Sequence, residues 1–303
     1  MMQNAEWNLI PPRLPPIPTP EAIAAMRREP RFRQAVAAIA VDNLRYYQRG
    51  WLANRVLNDR ARFGMALACM FLHFSYRPDV ANSGLTAERF RDICVRANLC
   101  GGGRAEGVLL MMRATGYLER AEASDGGNRR YIPTPKLIAL HRERNWQLLS
   151  AVDMLRGDTN FADRVRGGDD EAFYPRFARA IGQMFLDGYR MINASPELQK
   201  FNERDAGIPL MICILLASSD YAALVPEDMR LVTVAELARR LNVSRIHVRS
   251  LQRDAESNRL LIRHGDTAPV TVLPALIGAM ENFFASALVM IESCAQVAAA
   301  QEE

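Results

Sequence analysis

From Glu21 onward, polar and apolar positions alternate mainly with a helical period, and helix breakers are few. The stretch from Pro30 to Tyr76 predicts long helices. Residues 233–254, TVAELARRLNVSRIHVRSLQRD, predict two shorter helices joined by a tight turn. Thr233 followed by Glu236 is a capping box, in which hydroxyl and carboxylate satisfy the free N–H groups of a helix start. Leu237 and Leu241 face inward, and Ala238 is small enough for a second helix to cross closely. Asn242 tolerates the left-handed backbone that such a turn needs, and Ser244 caps the next helix. Along that helix Val248, Leu251 and Ala255 share one face, which predicts burial. Arg245, Ile246, Arg249, Ser250 and Arg253 then fall on the outer face or its edge. The segment RLLIRHGDTAPVTVL continues as a strand, a turn at His264, Gly265 and Asp266, and a second strand.

The pattern occurs twice. At a constant offset of 145, Pro30, Arg31 and Phe32 fall on Pro175, Arg176 and Phe177, Asp42 on Asp187, Arg45 on Arg190 and Tyr76 on Tyr221. Val36 meets Ile181, Val56 meets Phe201 and Cys69 meets Ile214. With small gaps, Thr86 then meets Thr233, Leu118 meets Leu260 and Pro135 meets Pro274. Both copies end in an apolar helix. One unit used twice is the expected organisation: a Pro-rich disordered arm over 1–20, a first unit over 21–156, a linker over 157–168 and a second unit over 169–303.

In the first copy, CGGG lengthens the turn between the two short helices. The following helix carries Arg104 at its start and Arg113 near its end, with Leu109 and Met112 expected near the outer side. Such an apolar face suits burial against protein better than contact with bases. The hairpin turns at Asp125–Asn128, which places Arg129 and Arg130 at its tip, where a minor groove or phosphate is a suitable contact.

A net charge of +4 on 303 residues permits a nucleic-acid partner without demanding one. The five cysteines form no CxxC pair and predict small buried hydrophobes in a reducing compartment. No uninterrupted apolar run reaches the ~18–20 residues that span a bilayer, and no secretion signal is apparent, so a cytoplasmic protein without a membrane partner is expected. His73, His141, His247 and His264 lie in different elements without metal-ligand spacing. No phosphate loop or nucleophile elbow is present, so neither an enzyme nor a cofactor is expected. Tyr46, Tyr47 and Trp51 on the long first helix suit core packing or a small-effector pocket between helices.

Helix, turn, helix and hairpin in this order resemble the winged helix-turn-helix of bacterial transcription regulators over Thr233–Leu273. The first hairpin and the PTPKLIAL that follows are similar to the wing of MarR-type regulators over about fifty residues, and the glycine-rich turn departs from them. The resemblance implies a mainly α fold with two winged helix-turn-helix units in tandem, flanked by long helices about a pseudo-twofold axis. It further implies a sequence-specific regulator of double-stranded DNA that reads bases with the helix at 244–256 and phosphates with its wings. A homodimer and a small-molecule effector are compatible with it. Two other classes stay open: a plasmid-type replication initiator, and a non-catalytic chromosome-associated interaction subunit.

Overall fold

The computed structural model describes residues 14–48, 60–121, 130–167, 170–230, 233–265 and 268–300. Most of the Pro-rich arm, Trp51, the turn at 125–128 and Arg129 lie outside the described residues. The fold is mainly α-helical with two small antiparallel sheets. The first half runs α1 (Pro20–Arg27), α2 (Phe32–Gln48), α3 (Arg60–Phe74), α4 (Ala87–Arg96), α5 (Gly102–Ala114), β1 (Leu118–Arg120), β2 (Tyr131–Pro133) and α6 (Pro135–Arg156). The second runs α7 (Phe161–Arg166), α8 (Phe173–Leu186), α9 (Gln199–Asn202), α10 (Gly207–Leu216), α11 (Ser219–Ala222), α12 (Val234–Leu241), α13 (Arg245–Ser257), β3 (Leu261–Ile262), β4 (Thr271–Val272) and α14 (Pro274–Ala299).

Several residues paired by sequence occupy like places, whereas Tyr76 is exposed where Tyr221 is fully buried, and Arg45 lies in α2 where Arg190 lies beyond the end of α8. Thr86 and Thr233 are the N-caps of α4 and α12, and their hydroxyls accept from the amides of Arg89 at 3.2 Å and Glu236 at 3.3 Å. Pro135 and Pro274 each open the first turn of a long helix, where a missing N–H does no harm. Leu118 pairs with Pro133, and Leu261 with Val272. Just beyond each hairpin one amide returns to the first strand, Thr134 to Tyr117 and Leu273 to Leu260, both at 3.0 Å. Val36 and Ile181, and Cys69 and Ile214, are buried, as are Phe90 and Leu237, each four residues after its N-cap threonine.

Packing crosses between the halves reciprocally. α1 lies on α14, and its counterpart α7 lies on α6. α3 packs on α8, while α10 packs on α2; α6 and α14 also touch. The segment 157–168, expected as a linker, thus contains a packed helix. Asp153 holds its start by accepting from the amides of Phe161 and Ala162 at 3.1 and 2.8 Å, and Gly157 and Gly167 adopt left-handed φ of 76° and 104° on either side. Where α3 crosses α8, each helix offers a glycine to the other's phenylalanine. A Cβ added at Gly182 would lie 2.6 Å from Phe71 Cβ, and one at Gly64 would lie 2.4 Å from Phe185 Cζ. Buried hydrophobes from both halves form one continuous core.

α14 is long and apolar, although Glu281 and Asn282 interrupt its apolar run. It spans 26 residues with a window of mean hydropathy 1.5, enough by length and composition to cross a membrane. In this fold 61% of that window is buried against protein. Its two buried acids are tied to other helices: Glu281 accepts from Arg27 at 2.7 Å and Arg33 at 2.9 Å, and Glu292 accepts from Arg156 at 2.5 Å.

Candidate nucleic-acid interface

α12 and α13 form as their local chemistry requires. Both halves of the capping box are in place at Thr233 and Glu236, Asn242 has a φ of 53°, and the Ser244 hydroxyl accepts from the His247 amide at 3.1 Å. Val248, Leu251 and Ala255 are fully buried and seat one face of α13 in the core. The other face presents Arg245, Ile246 and Arg253 to solvent, with Ile246 71% exposed and Arg249 half-buried. Among the described residues, the guanidiniums of Arg245 and Arg253 take part in no hydrogen bond or ion pair.

The acids of α13 are engaged elsewhere. Asp254 is bound by Lys200 at 2.9 Å and by Arg204. The Lys200 hydrogen bond, with the charge of Arg204 beside it, holds the Asp254 carboxyl below its usual range. Glu256 accepts from the Arg263 amide at 2.8 Å. One edge of α13 is therefore closed by the segment before α10. Ser250, expected as a DNA contact, accepts from Arg204 at 3.0 Å, and His247 Nε2 meets the Asp205 carbonyl at 2.8 Å. This edge had no local signal, because its partners lie some forty to fifty residues upstream. Arg239, exposed in the last turn of α12 beside the Asn242 turn, is a further cation that sequence reasoning did not single out.

The first half departs from expectation in three ways. Leu109 and Met112 are buried, 3% and 1% exposed, and do not form an apolar outer face; Leu110, 65% exposed, is the outward one. Five consecutive apolar residues, Val108–Met112, give the period no means of choosing a face. Superposing the buried positions Ala105 on Val248, Val108 on Leu251 and Met112 on Ala255 places Glu106 on Arg249 and Leu110 on Arg253. Gly103 and Gly107 then fall on Ile246 and Ser250, with open space where a Cβ would be. Arg104 and Arg113 are exposed but fall on His247 and Glu256. Lastly, Arg130 lies where the turn rejoins its hairpin, next to the Arg120–Tyr131 pair, and is held there: its backbone bridges Thr86, and its guanidinium lies 3.9 Å from the Tyr76 ring centroid.

Tyr47 is buried beside a central cavity, whereas nothing is described of the Tyr46 side chain. Comparison with known protein families, with curated proteins and with solved structures finds no match to this chain.

Proposed function

We propose that this protein is a sequence-specific, double-stranded-DNA-binding regulator built from two winged helix-turn-helix units in one chain, with α13 as the base-reading helix. The observation that carries the reading is the outer face of α13. It exposes Arg245 and Arg253 while its acids are neutralised from behind and its opposite face is locked into the core. Guanidiniums on such a helix suit phosphates and the O6/N7 edge of guanine. Affinity then comes largely from phosphate contacts and falls steeply with salt.

The reciprocal packing of the halves supports a pseudo-dimer that meets one duplex at two places. The two places are unequal, because α5 carries Glu106 and Leu110 where α13 carries Arg249 and Arg253. The proposed target is therefore asymmetric: one half-site is read by α13, and the flank is held through its backbone. The burial of Leu109 and Met112 removes the main support for a protein-gripping role of α5.

The experiment is retention of sheared genomic fragments by the purified protein at low and moderate salt, with sequencing, beside an Arg245→Ala/Arg253→Ala variant. A few enriched sites that vanish in the variant support the reading, and their positions separate a regulator from a replication initiator. No retention even at low salt overturns it.

A further inference from the structure

At the centre of the interlock lies a cavity of about 250 Å³, partly open to solvent, where α2, α6, α8 and α14 meet the segment that leads into α10. Its walls are apolar, with Phe185, Phe201, Phe283 and Phe284 among them. A well-packed core leaves few spaces of this size.

The lining also carries a polar set. Asn43, Gln147 and Asn202 line the cavity, and none of their side-chain amides makes a hydrogen bond among the described residues. Arg144 and Arg204 line it as well. Apolar walls with a few convergent donors and fixed positive charge are the makeup of a site for a small amphipathic ligand. The cations select a negative head, and planar guanidinium favours a carboxylate.

Arg204 is also the residue that binds Ser250 at 3.0 Å and pairs with Asp254, both on α13. We infer that the cavity binds an apolar monocarboxylate whose head group engages Arg204 in competition with Asp254 and Ser250, so that occupancy loosens the anchorage of α13. Binding and its effect on α13 stand independently of DNA; only the consequence for DNA affinity rests on the function proposed above.

The test is isothermal titration of the full chain, without DNA, using octanoate and 4-phenylbutyrate, each beside its alcohol, 1-octanol and 4-phenylbutanol. The two carboxylates distinguish a chain body from a ring body. The carboxylate is expected to bind at least about tenfold tighter than its alcohol, the ratio for one charge-assisted hydrogen bond. Arg204→Met should bring the acid to the level of the alcohol and leave the alcohol unchanged. Asp254→Asn, which removes the competitor and leaves the cavity intact, should tighten the acid. Amide exchange in α13 should quicken on addition of the carboxylate and not of the alcohol. Absence of binding by either acid up to about 5 mM overturns the proposal. So does equal affinity for acid and alcohol, or an Asp254→Asn variant with unchanged acid affinity.

Discussion

The crossing of α3 and α8 joins the two halves, and it can be probed with a single methyl group. Gly182 lies in the middle of α8 and is buried, so Gly182→Ala improves intrinsic helix propensity by about 0.8–1.0 kcal/mol. The new Cβ would lie 2.6, 3.0 and 3.1 Å from Phe71 Cβ, Cδ2 and Cγ. Carbon atoms rest at about 3.5–4.0 Å. The nearest of the three is fixed to the α3 backbone and cannot rotate away, so the helices must separate by roughly 1 Å to restore that spacing. Overpacking of this kind costs about 1–3 kcal/mol, with the upper part of the range expected at a backbone-anchored contact; the net expected loss is about 1–2 kcal/mol.

Gly107→Ala is the internal control. It too is mid-helix, in α5, but its Cβ would meet nothing within 4 Å. It should gain about 1 kcal/mol. Urea unfolding of the full chain followed by far-ultraviolet circular dichroism separates the two by about 2–3 kcal/mol if the slopes agree. Equal midpoints, or a Gly182→Ala variant more stable than the parent, would refute the close approach of α3 and α8 and with it the reciprocal packing.

Further expectations concern the interface and the core. Arg245→Ala/Arg253→Ala should weaken binding and reduce the slope of log K against log salt by up to about 2, one for each guanidinium that neutralises a phosphate, as measured by fluorescence anisotropy on a retained fragment; unchanged affinity and slope together would place the DNA elsewhere. The motif shared by retained fragments should be asymmetric, and a perfect palindrome would contradict the assignment of α13 alone as the reader. Thr233→Ala removes one side of the capping box and should lower stability by about 0.5–2 kcal/mol, whereas Thr233→Ser should cost much less. Burial, with Arg144 nearby, pushes the His141 pKa down to about 3, and burial, with Arg130 nearby, pushes His73 down to about 4. Both are held neutral in the fold while the unfolded chain takes up protons below about pH 6.5. Stability from these residues is thus complete above about pH 6.5 and declines as pH falls toward the folded values, by up to about 1.4 kcal/mol per pH unit for each histidine. Denaturant midpoints between pH 7 and 4 should show this decline, and His141→Gln should flatten it; an unchanged pH profile in the variant would argue against a buried neutral imidazole.

Much of the fold is decided by interactions only a few residues long, and those are legible in the sequence. The capping box at Thr233, the left-handed Asn242, the cap at Ser244 and the buried face of Val248, Leu251 and Ala255 each depend on atoms within about one helical turn. The repeat is legible for the same reason: two copies that share local signals share the order of their elements. Sequence by itself could not decide between partners of equal local quality. α3 can bury its apolar side on a helix of its own half or of the other, and only the sum of contacts across the chain, with Gly64 and Gly182 letting the backbones approach, selects α8. In α5 the run Val108–Met112 is apolar all round, so its register is set by what it packs against. Arg130 is held at the turn end of its hairpin by Thr86 and Tyr76, and Ser250 and Asp254 are taken up by Arg204 from a distant segment. The outward arginines of α13 follow from helical period alone; the neutralised edge beside them, and the cavity that Arg204 shares with it, exist only because the chain closes on itself.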